Sequence, residues 1–153
     1  MKILLLFLIA LTSHCGFEVY NKSDLVNFDI TNISSSGNKR VNYKIVNKLN
    51  SINVENNENL IELEIESKKR KIIKEKNIKN EITKYQLTIS VKVKVKSSKN
   101  REGQLFTKEK SGFYNTGKKY STTLNNEKKL IELLTSSLSD EIFDELINKV
   151  NAL

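Results

Sequence analysis

Proline is absent from the 153 residues, and cysteine, histidine and methionine occur once each. The lone histidine and cysteine are neighbours, His14 and Cys15, at the end of an apolar leader. If the leader is removed and Cys15 modified, the chain that remains has no imidazole and no thiol. Zinc and copper sites then lose their usual ligands, and neither a Cys-His nor a Ser-His-Asp arrangement can be built. Neither a G-x-G-x-x-G nor a G-x-x-x-x-G-K phosphate loop occurs. Carboxylates do cluster, as Glu62, Glu64 and Glu66 and as Asp140, Glu141, Asp144 and Glu145, but their spacing assigns them to solvated faces. The expectation is a protein without catalytic residues, metal or cofactor. Long apolar runs are lacking too: Ile3 to Leu11 gives nine residues, against about 20 for a permanent membrane span.

That run is what the sequence has instead. Lys2, nine apolar residues, Thr12, Ser13 and then His14-Cys15 read as a signal peptide over residues 1–14. A buried first strand is the alternative, but such strands seldom start at Met-Lys and stop at a lone cysteine. The junction resembles a bacterial lipoprotein signal, in which Leu and two small residues precede a Cys that becomes the lipid-bearing first residue. Leu11, Thr12 and Ser13 fit in type but sit one place early, and His14 stands where Gly or Ala is usual. The resemblance implies lipidation of Cys15, with residues 15–24 as the tether; the other reading is an unmodified thiol in a secreted chain. Two or more acyl chains hold a protein stably at a membrane.

Cleavage before Cys15 leaves 139 residues, 25 basic and 18 acidic, a net charge of +7. That length suits one domain, residues 25–153, with a single core. The charge favours an anionic partner. Because Lys, Asn and Ile are abundant throughout, genome base composition also shapes it, and local clusters carry more information than the total. Nucleic acid is not expected, since the chain is exported and no aromatic array interleaves with its basic run.

The hydrophobic pattern predicts an α+β fold in the order β-α-β-β-β-α, with two helices packed on one face of a four-stranded mixed sheet. Leu25 to Ile33 alternates as a strand. Ser34, Ser35, Ser36 and Gly37 then read as turn and helix cap, and Val41, Ile45, Val46 and Leu49 recur at helical spacing over residues 37–50. In "LIELEIES" Ile61, Leu63 and Ile65 face one way, and in "YQLTISVKVKVK" Leu87, Ile89, Val91, Val93 and Val95 do the same. An antiparallel hairpin turning at residues 77–80, with paired residue numbers summing to 158, sets core against core. It also sets Glu62, Glu64 and Glu66 against Lys96, Lys94 and Lys92, and a one-residue slip would bury those charges. "QLFTKEKSGFYN" forms the fourth strand, with Gly112 a candidate bulge. Asn125 or Asn126 caps a final helix over residues 128–152, on which Ile131, Leu134, Leu138, Ile142, Leu146 and Val150 make one stripe.

Between the two amphipathic strand halves the alternation stops. Lys68, Lys69, Arg70, Lys71, Lys74 and Lys76 crowd the hairpin end, and Ser67, Lys69 and Lys71 fall at core-facing positions, so this end is expected to project beyond the sheet. Those six cations are the candidate ligand-binding residues, suited to phosphates. A solvated hairpin end in a Lys-rich chain is the competing reading.

The order of signal, Cys, strand, helix, long hairpin, strand and long helix resembles the LPS-assembly lipoprotein LptE family. Cys15-Gly16-Phe17 and the strand "TKYQLTISVKV" carry the resemblance with it, over essentially the whole mature chain. The lysine content of the hairpin end exceeds that pattern. The resemblance implies a lipid-anchored protein on the periplasmic face of the outer membrane. It implies insertion as a plug in an LptD-like barrel whose assembly it assists, a share in lipopolysaccharide transport, and no covalent chemistry. Gly16 fits export to the outer membrane. The partners so implied are the barrel, lipopolysaccharide and, through N-terminal acyl chains, the membrane. The rival function is an auxiliary periplasmic lipoprotein of a lipid-transport or secretion complex without lipopolysaccharide contact.

Overall fold

The computed structural model describes residues 27–51, 59–97 and 102–151, the last without its side chain. The leader, the tether, Cys15, and Leu25 and Val26 of the first predicted strand lie outside the described residues. The elements are β1 (Asp29–Gly37), α1 (Lys39–Asn50), β2 (Leu60–Lys76), β3 (Ile82–Ser97), β4 (Gln104–Asn115) and α2 (Tyr120–Asn151). The strands lie in the order β1-β2-β3-β4, with β1 parallel to β2 and the other pairs antiparallel. Both helices cover one face, α1 over β1 and β2, α2 over β3 and β4. The expected α+β architecture is therefore the observed one.

The hairpin has the predicted register. Glu62, Glu64 and Glu66 stand opposite Lys96, Lys94 and Lys92, and Leu63 and Ile65 opposite Val95 and Val93. Burial of one face explains it: Ile61, Leu63, Ile65, Leu87, Ile89, Val91, Val93 and Val95 are all at most 2% exposed. The ion pairs differ from the directly opposed ones expected. Lys96 bonds the diagonal neighbour Glu64, and Lys68 bonds Glu66 along its own strand at 2.9 Å. Diagonal neighbours remain within reach of long side chains, so the register owes more to the buried face than to these contacts.

Three boundaries differ from expectation. β1 continues through the three serines that the sequence suggests for a turn. A register shift between Ile30 and Asn32 leaves Thr31 extra, which changes the phase so that Ile33 and Ser35 align with the core-facing Leu63 and Ile65. The Thr31 and Ser34 hydroxyls donate to the Ile61 and Leu63 carbonyls, tying this polar stretch to β2. The strand ends at Gly37, whose φ is +95° and whose missing side chain lets it lie against Ser67; a Cβ there would stand 2.0 Å from the Ser67 oxygen. Asn38 then caps α1, its side-chain oxygen accepting from Val41 N at 3.2 Å.

Gly112 is not a bulge, because the β3–β4 register runs unbroken past it. Its role is close approach: a Cβ would come within 2.8 Å of a Leu130 methyl on α2. α2 also begins eight residues before the expected start, so Asn125 and Asn126 lie inside the helix; Asn126 Nδ2 donates to the Asn115 carbonyl at 3.0 Å. Thr123, through its hydroxyl, accepts from Gly117 N at 2.9 Å at the new start. The acidic residues assigned to a wet side of α2 make contacts there. Glu141 pairs with Lys110 at 2.6 Å, Glu145 with Lys108 at 2.8 Å, and Asp140 with Lys48 of α1 at 3.6 Å.

Candidate functional site

β1 stops opposite Ser67, but β2 runs nine residues further, so from Lys68 to Lys76 it is an edge strand paired only with β3. The hairpin closes over residues 77–80. Asn77 Oδ1 accepts from the backbone N–H groups of Lys79 and Glu81 at 2.9 and 3.0 Å, and Asn80 takes the left-handed conformation at φ 62°. On the far side of β3, β4 extends until Asn115 meets Lys84. This end of the molecule is therefore a three-stranded projection, and the start of α2 lies over its inner side.

The pleat divides the six candidate cations. Lys69 and Lys71 alternate with Ser67 on the helix-covered side, contrary to the expectation that this end projects clear of the body from Ser67 onward. Ser67 is buried, and Lys69 and Lys71 both reach Glu127 of α2, at 3.2 and 2.7 Å. The early start of α2 makes this contact, which the helix expected from residue 128 would not include. Tyr114 donates to the same carboxylate at 2.8 Å, and the Lys71 ammonium stands 4.2 Å above the Tyr85 ring, which is stacked on Tyr114. Burial pushes the Glu127 carboxyl up, but the bonds from Lys71, Tyr114 and Lys69 outweigh it and hold the group down at about 2. For Lys71 burial alone would lower its pKa; the bonds to Glu127 and Tyr114 reverse that, and the ammonium is held well above its ordinary range.

The other four cations are exposed and make no bond to α2 among the described residues. Lys68 shares Glu66, and Lys76 donates to Asn80 Oδ1 at 2.9 Å. Lys74 falls at the irregularity between Ile73 and Glu75. Neither Arg70 nor Lys74 pairs with a carboxylate among the described residues, so these two are the least compensated of the six. The hairpin end also bears exposed apolar groups that the charge pattern did not single out: Ile72, Ile73, Ile78, Phe113 and Tyr120. Lys84, bound to Glu75, and Lys118 and Lys119 beside the start of α2 belong to the same end. The signal for them was the β3–β4 pairing, which carries residues 113–120 back to the hairpin end. What results is a surface of cations around exposed isoleucine and aromatic side chains.

Among the described residues, no group of three or more acidic, histidine or cysteine side chains could hold a metal, and no helix is long and apolar enough to cross a membrane. No protein-family model and no curated relative matches the sequence. Solved structures do match, and they share its fold. The chain is similar to a minor lipoprotein from Acinetobacter baumannii, with TM-score 0.61 and 12% identity over 81% of this chain and 93% of that one. It is also similar to lipoprotein B from Nitrosomonas europaea, with TM-score 0.64 and 12% identity over 90% and 94%. Rare lipoprotein B from Shewanella oneidensis aligns with TM-score 0.52 and 16% identity over 81% and 94%.

Proposed function

We propose that this chain is a lipoprotein, acylated at Cys15 and held at the periplasmic face of the outer membrane. There it plugs an LptD-like barrel, assists its assembly and takes part in passing lipopolysaccharide to the outer leaflet. The observation that carries the reading is the fold, shared over nearly the whole length of structures described as lipoproteins, on a chain whose leader ends at a lone cysteine. The hairpin end supports it. Lipid A presents phosphates beside acyl chains, and this surface presents Arg70, Lys74, Lys68 and Lys76 beside Ile72, Ile78 and Phe113. Lys69 and Lys71 serve mainly to fasten α2, so the ligand-binding set narrows to the other four cations. No bond is made or broken in this role.

The experiment is binding of purified protein to lipopolysaccharide micelles at two salt concentrations. The double variant Arg70→Glu, Lys74→Glu is expected to bind at least tenfold more weakly with an unchanged melting temperature, because neither residue has a carboxylate partner to lose. Undiminished binding by that variant would remove the hairpin end from the proposal.

A further inference from the structure

Among the described residues the sheet has three unpaired strand edges, and two of them carry the charges that ordinarily discourage strand addition. The distal part of β2 reads Lys-Lys-Arg-Lys, and β4 turns Lys108 and Lys110 inward to α2. β1 is different. From Asn32 to Gly37 it has no charged residue and no proline, its register is continuous once past Thr31, and among the described residues no strand lies on its outer side. Above that edge stands one flank of α1. Arg40, Lys44 and Lys48 point from α1 toward α2, where they meet Glu132 and Asp140. Lys39, Tyr43, Val46 and Asn47 occupy the opposite flank, and with Ser35, Ser36 and Gly37 they line a groove of about 430 Å³.

Asn42 gives this groove a polar floor. The residue is 6% exposed and its Nδ2 donates to the Ser36 carbonyl at 2.8 Å. Tyr43 is 69% exposed beside it, a large aromatic side chain with most of its surface uncovered. Lys39 is the one charged residue of the groove lining and has no acidic partner among the described residues.

We infer that the groove between β1 and α1 is a docking site for an extended, acidic peptide segment of a partner protein, which adds to the sheet as a fifth strand beside Asn32–Gly37. Main-chain hydrogen bonds to the free edge supply affinity, and alternate side chains of the segment meet the helix flank. An apolar side chain packs on Tyr43 and Val46, and a carboxylate meets Lys39. The lone positive charge at the groove chooses acid over base in the partner. The site lies on the opposite edge of the sheet from β4 and does not depend on the lipid-binding role.

The test is selection of a displayed library of random nine-residue peptides on the full chain in mild detergent, followed by hydrogen exchange with the winning synthetic peptides. Winners are expected to carry Asp or Glu among β-branched residues, and to slow exchange at Asn32–Gly37. They are expected to lose at least tenfold in affinity with Tyr43→Ser, and Lys39→Glu should shift the selection toward Lys and Arg. Tyr43 and Lys39 are exposed, so both variants should fold, which their melting temperatures verify. Failure to select any peptide, winners whose charge is indifferent to Lys39→Glu, or protection that appears at β4 instead of Asn32–Gly37 would overturn the inference.

Discussion

One carboxylate organises the hairpin end. Glu127 takes bonds from Lys69, Lys71 and Tyr114, and so ties three residues of the sheet to the first turns of α2. Its pKa near 2 in the folded chain lies below the unfolded carboxyl value, so the stability it contributes is present above about pH 4.5 and is lost as the pH falls toward 2. Glu127→Gln is expected to cost about 2 kcal/mol at pH 7, by leaving two ammonium groups without their counter-charge, and to flatten the loss of stability between pH 5 and 2. Urea titrations of both proteins across that range check it. Gly37 matters for a different reason, the left-handed backbone where β1 meets Ser67. Gly37→Ala should destabilise by more than about 1 kcal/mol, seen as a lower urea midpoint at unchanged slope. Neither role could be read from one strand alone: a lone Glu in a polar stretch and a Gly after three serines acquire meaning only from a partner far along the chain.

At the scale of elements, legibility followed periodicity. β2 and β3 alternate cleanly over the halves that are buried on one face and charged on the other, and the sequence yields both the strands and their register. α1 and the apolar stripe of α2 were equally plain. The first half of β1 was legible from its alternation, but Ser34 to Gly37 read as a turn because serines stand where apolar groups were expected. The first turns of α2 escaped because "YSTTLNNE" has one large apolar side chain besides its tyrosine, Leu124, and is held by polar contacts to the sheet instead of by a buried stripe. If the buried face sets the hairpin, Ile65→Ala should cost about 3 kcal/mol, whereas Glu64→Gln should leave the urea midpoint nearly unchanged. The comparison of those two neighbours in one series separates burial from ion pairing.

At the scale of the molecule, the two ends of the sheet are assigned different tasks. The chain enters beside Asn27, whose carbonyl accepts from Asn59 at the start of β2, while the cations stand at the other end of that strand. From Leu60 it is ten residues along β2 to Arg70 and fourteen to Lys74, about 33 and about 46 Å at roughly 3.3 Å per residue. On the proposal that Cys15 is acylated, the described chain begins at Asn27 on the end of β2 remote from Arg70 and Lys74, which would leave that basic surface away from the anchor. The fold and the order of its elements were legible from the sequence; the division of the six cations between a clamp and an exposed surface was not, because it depends on how α2 crosses the sheet. The proposed function is tested most directly by isolating the tagged protein from detergent-solubilised envelopes and weighing the intact components of what copurifies. The account predicts an outer-membrane barrel protein in stoichiometric amount, together with a chain that begins at an acylated Cys15. A free chain with an unmodified cysteine and no barrel would contradict it.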